Sequence, residues 1–89
     1  MMETVGIYLK KERESKNISL RELSRLSKIS PLYLNFIEKD EFDKLPQGPY
    51  VKGYIASYSR LIGGDVDEAI TLYEALNKKR IQTEEIQPG

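Results

Sequence analysis

The 89-residue chain has no cysteine and no histidine. It therefore has no disulfide framework, no usual zinc-ligand set, and no thiol or imidazole for nucleophilic or acid–base catalysis. Net charge is also lacking: 14 basic side chains balance 14 acidic ones, whereas a nucleic-acid binder usually carries a basic excess. No apolar run approaches the roughly 18 residues of a membrane-spanning helix. The N-terminus lacks the layout of a signal peptide. A chain this short supports one domain with one modest core. No cofactor or metal is expected. Nor is an enzyme, because the carboxylates fall at helix starts and in solvated loops, where capping and hydration account for them. The charges are mildly segregated: residues 1–60 hold 11 Lys/Arg against 8 Asp/Glu, and residues 61–89 hold 3 against 6. Ordinary solvated surfaces explain that pattern.

What is present is a succession of short amphipathic helices. The first is predicted from about Val5 to Lys16, with Thr4 as cap, Val5, Leu9 and Tyr8 inward, and Asn17 as a left-handed stop. The stretch Ile18–Glu38 then reads as two helices joined by a tight turn. Ser19-Leu20-Arg21-Glu22 forms a capping box, followed by Leu20, Leu23 and Leu26 at helical spacing. Ser27-Lys28-Ile29 makes the turn, with Ile29 plugged between the helices. Ser30 caps the third helix, with Pro31 at its first position, where a missing N–H costs nothing. Leu34 and Ile37 face inward, and the helix is predicted to run to about Lys39. Phe42 and Leu45 anchor the following loop, which Pro46 and Gly48 keep from being helical. A fourth helix is predicted from near Pro49 to Ile62, stopped by Gly63-Gly64. A fifth opens at Asp65-Val66-Asp67-Glu68, acids that suit the positive end of a helix dipole. Its apolar positions are Val66, Ala69, Ile70, Tyr73 and Leu76, and Lys78, Lys79 and Arg80 suit its other end. The reading is an all-α five-helix bundle over residues 4–78, with 79–89 as a polar tail or linker.

Ile18–Glu38 resembles the helix-turn-helix of the Cro/C1-type (XRE-like, lambda repressor-like) family. There the third helix enters the major groove and reads bases through outward side chains. Base readout calls for Arg, Lys, Asn or Gln at those positions. Here the outward arc holds Pro31, Leu32, Asn35, Phe36 and Lys39, of which only Asn35 and Lys39 suit a base or a phosphate. Arg21, Arg25 and Lys28 could add non-specific phosphate contacts. Leu32 and Phe36 are expected instead to pack under the fourth helix or the loop. The same resemblance implies an ion pair between Arg13 and Glu38, bidentate and partly buried, that fixes the first helix on the third.

The fourth helix offers a second surface. At about 100° per residue, with Tyr50 at zero, Leu61 falls near 20°, Tyr54 near 40°, Tyr58 near 80°, Val51 near 100°, Ile62 near 120° and Ile55 near 140°. The centre of this arc, Tyr58 with Val51 and Ile62, is predicted to be core. Its edge sets Tyr50 and Tyr54 beside Gly53 and Ser57: rigid aromatic anchors next to small residues that let another backbone approach. Lys52, Arg60 and Lys44 are basic candidates for its rim. The competing reading places all three tyrosines in the core with hydroxyls at its edge.

Further residues extend the likeness. Val5-Gly6-x-x-Leu9, Arg13-Glu14, Ile29, Tyr33-Leu34 and Ile37-Glu38 join Phe42-Asp43-Lys44-Leu45-Pro46 and Tyr50-Val51-Lys52-Gly53-Tyr54-Ile55, with Ser57-Tyr58 and Leu61. Together, over residues 4–76, they resemble the cytoplasmic N-terminal domain of the RodZ family of bacterial cell-shape proteins. The resemblance implies binding to the actin-like protein MreB, with Tyr50 and Tyr54 on the docking face. It also implies a place on the cytoplasmic face of the bacterial inner membrane, through a spanning segment that these residues do not contain. Sequence-specific DNA binding through the third helix is the competing function.

Overall fold

A computed structural model describes residues 3–46 and 50–86, with side chains as far as Lys78. Five α-helices follow one another: α1 Val5–Ser15, α2 Leu20–Ser27, α3 Pro31–Glu38, α4 Val51–Leu61 and α5 Val66–Ile86, with a 3-10 turn at Phe42–Lys44 after α3. No strand occurs among the described residues. The fold is the expected all-α bundle with a helix-turn-helix at α2–α3.

The helix ends are set by the residues predicted for them. The Thr4, Ser19 and Ser30 hydroxyls accept from the N–H groups of Ile7, Glu22 and Tyr33. Asp65 Oδ1 accepts from Glu68 N–H at 3.1 Å. Each satisfies a donor that the first helical turn leaves free. Asn17 (φ 57°) and Lys28 (φ 61°) turn the chain through the left-handed region after α1 and α2, and Gly63 (φ 71°) does so after α4. The return half of the capping box is missing among the described residues. The Glu22 carboxylate lies instead 4.0 Å from Arg25, one turn along an exposed face.

Val5, Leu9, Leu23, Leu34, Ile37, Ile55 and Tyr58 are fully buried, with Ile29, Phe42, Leu45, Val51, Ile62 and Ala69 closing the same core. Phe42 meets Tyr73 of α5 edge to face at 5.1 Å between centroids, so the turn after α3 is pinned from the C-terminal helix.

Two expectations are corrected. Leu26 is 47% exposed, because α2 is only two turns long and turns its last apolar position past the edge of the core. The backbone of α5 stays helical to Ile86, across much of the stretch expected as a tail. No glycine or proline interrupts residues 65–87, and glutamine and glutamate support a helix with no core beneath it. The expected start of α4 at Pro49, the loop residues Gln47 and Gly48, and the end of the tail lie outside the described residues, as do the side chains of Lys79 and Arg80.

Candidate functional site

α1 and α3 are joined at two points. At the first, the Gly6 N–H and the Thr4 hydroxyl both donate to the Asp40 carboxylate, at 2.8 and 2.6 Å. Asp40 ends α3 in a left-handed turn (φ 60°). A Cβ on Gly6 would lie 2.6 Å from the carbonyl oxygens of both Ile37 and Glu38, so only glycine allows this approach.

The second point is the expected ion pair. Arg13 Nε donates to Glu38 Oε2 at 2.7 Å and Nη2 to Oε1 at 3.2 Å, and both side chains are buried. Nη1 donates to the Ile18 carbonyl at 2.8 Å, which ties down the α1–α2 connection. The Tyr58 hydroxyl of α4 completes the group by donating to Glu38 Oε2. Every charge here is partnered, which a buried ion pair requires to offset the cost of desolvation. The Arg13 guanidinium is held above its ordinary pKa, chiefly by its hydrogen bonds to Glu38. Burial, and then the bond to Glu38, push the Tyr58 phenol well above its ordinary value. Nothing in the local sequence marks Tyr58 as the third member, because it is twenty residues from Glu38.

With α4 locked at Tyr58, the tyrosines four and eight residues earlier climb out of the core. Tyr54 is half-buried and Tyr50 is 68% exposed. Gly53 faces open space, where an added Cβ would meet nothing. Ser57 is half-buried beside them. The three tyrosines are thus neither all core nor all surface. Of the expected rim cations, Lys52 is paired with Glu74 of α5 at 2.7 Å. Lys44 is paired with Glu41 at 3.1 Å and sits 5.6 Å above the Phe36 ring. Arg60 is exposed and makes no ion pair with a described residue.

The outer side of α3 differs from its expectation in one respect. Phe36 is half-buried, as expected, stacked on Tyr33 with centroids 6.4 Å apart. Leu32 is not packed under anything: it is 58% exposed. The side chains of α4 meet α3 at Tyr33, through Tyr54, and at Glu38, through Tyr58, and position 32 lies about 100° round the helix from Tyr33. Of the nucleic-acid candidates, Arg21, Arg25, Lys28 and Lys39 are exposed, and Asn35 is half-buried. They are distributed over α2, the turn and the end of α3.

A family model described as a helix-turn-helix domain matches residues 8–69. The chain belongs to this helix-turn-helix family. Among solved structures it is similar to YmfM of Staphylococcus aureus, provisionally described as a DNA-binding membrane protein. The two share 33% identity and a TM-score of 0.77, over 82% of this chain and 89% of the other. A search of curated proteins finds no match. No helix among the described residues is long and apolar enough to cross a membrane.

Proposed function

We propose that this helix-turn-helix domain is a protein-docking module of the RodZ type, which binds the actin-like protein MreB through α4. The observation that carries the reading is the pose of Tyr50. A large aromatic side chain stands 68% exposed at the head of a helix, in line with Tyr54 and next to the open backbone at Gly53. Exposed aromatic anchors beside small residues are the usual composition of an interface hot spot. The outer side of α3 supports the same view. A base-reading helix needs polar donors where this one carries Pro31 and Leu32. The likeness to a protein described as a membrane protein suits a domain that works beside a membrane.

A second reading, DNA binding through α3, has specific support of its own. Both the family match and the similarity to YmfM favour it more directly than they favour MreB binding, and Arg21, Arg25, Lys28 and Lys39 are exposed. Cosedimentation with polymerised MreB separates the two readings. The docking reading expects the wild-type domain to pellet with filaments and a folded Tyr50→Ala/Tyr54→Ala variant to stay in the supernatant. Undiminished pelleting of that variant removes α4 docking. Tight binding to one preferred duplex sequence, without pelleting, establishes the second reading.

A further inference from the structure

We propose that the docking surface continues from α4 onto the outer side of α3, with Leu32 as a second anchor, and that it receives a surface apolar at its centre and acidic at its margin. This rests on the α4 reading above and enlarges it. The strip is continuous. Tyr54 lies 6.4 Å from Tyr33 between ring centroids. Tyr33 lies 6.4 Å from Phe36, with planes 27° apart. Leu32 is one turn before Phe36, so the two side chains are neighbours on the helix surface. Tyr50 and Leu32, at the two ends, are the most exposed large apolar side chains among the described residues, at 68% and 58%.

The side chains between them are half-buried, so the strip has a rigid floor with an anchor at each end. It crosses between two helices that meet through side chains, which gives it more breadth than α4 alone provides. Its margin carries two cations. Lys39 falls two turns beyond Leu32 at the end of α3, is exposed, and makes no ion pair with a described residue. Lys44 lies over Phe36 at the same edge, where Glu41 pairs with it at 3.1 Å, so that Lys39 is the margin's free cation among the described residues. An apolar strip with cations at its rim complements an apolar patch with carboxylates around it. Duplex DNA is a poor occupant, because Leu32 offers it only contact with methyl groups.

The test is cosedimentation with polymerised MreB, using wild type, Tyr50→Ala/Tyr54→Ala, Leu32→Ser and Lys39→Glu, each checked for a cooperative thermal transition. Leu32 and Lys39 are exposed, so both single variants keep the fold. Leu32→Ser is expected to weaken association about tenfold, the effect of removing a hot-spot side chain. Lys39→Glu is expected to weaken it a few-fold at low salt, with the difference fading as salt rises. If Leu32→Ser pellets like wild type while the double tyrosine variant does not, the surface ends at α4 and this inference fails alone. If the wild-type domain does not pellet, both readings fall. Weakened pelleting of Leu32→Ser with full pelleting of the double tyrosine variant also overturns the continuous surface.

Discussion

The hydroxyl of Tyr58 donates to the carboxylate of Glu38, linking the fourth helix to the end of the third. Arg13 grips the same carboxylate with two nitrogens. One buried acid thus fixes α1, α3 and α4 relative to each other, and Tyr50 and Tyr54 take their positions from it.

Arg13→Ala leaves that carboxylate buried and without its charge partner. A loss of about 3–5 kcal/mol is expected, much of the roughly 5–15 kcal/mol that holds a small domain together. Urea titration followed by circular dichroism checks this. Tyr58→Phe keeps the ring and removes one hydrogen bond, so its loss is expected near 1–2 kcal/mol. A Tyr58→Phe variant as unstable as Arg13→Ala would contradict this ranking.

Alkaline pH is expected to weaken the fold. Burial and the bond to Glu38 raise the Tyr58 pKa above the ordinary 10.0. The native state therefore keeps the phenolic proton at a pH where the unfolded chain has released it. The stabilisation is complete below about pH 10 and declines as pH rises above it. Urea midpoints should fall from about pH 9 to about pH 11, and fall less steeply in Tyr58→Phe. Tyr8, also raised by burial, leaves part of the slope in place.

Two glycines give opposite outcomes. Gly6→Ala drives a methyl group into the carbonyl oxygens of Ile37 and Glu38 at 2.6 Å, and a cost of about 2 kcal/mol or more is expected. Gly53→Ala meets nothing and adds a better helix former, for a gain of about 0.5–1 kcal/mol. If a partner backbone approaches α4 at Gly53, the same substitution lowers affinity for MreB filaments while it raises the melting temperature. That combination cannot come from damage to the fold.

Duplex DNA is expected to bind weakly and with steep salt dependence, without preference among sequences. Removing one phosphate-binding cation should reduce the salt slope by about 0.9. Arg21→Ala/Arg25→Ala/Lys28→Ala should therefore flatten a plot of log affinity against log salt by up to about 3. A strong sequence preference that depends on Asn35 and Lys39 would instead support base readout by α3.

The helix boundaries were legible wherever a cap or a stop is a local event. Thr4, Ser19, Ser30, Asn17, Lys28 and Gly63 each act within a few residues, and each behaves as predicted. The missing return bond from Glu22 shows the limit, since an exposed carboxylate chooses freely between a backbone N–H and Arg25. The Arg13–Glu38 pair was legible by family resemblance and not by spacing. Tyr58 as its third partner was not legible at all. The reach of α5 to Ile86 was missed because a polar helix without a buried face has no periodic signal to extend.

The sequence by itself determined the all-α class, the helix-turn-helix at Ile18–Glu38, most of the inward stripe of each helix, and the lack of thiol and imidazole side chains. These follow from residue type, capping and period, which act over a turn or two. Only the tertiary structure decided which outward apolar residues remain exposed. Leu32 and Phe36 occupy one arc of α3, yet Phe36 is sheltered by Tyr33 and Lys44 while Leu32 stands exposed. Tyr50, Tyr54 and Tyr58 share one line on α4, yet the core covers the last and leaves the first open. Burial depends on which distant helix lies alongside, and here that placement is set by a carboxylate at position 38.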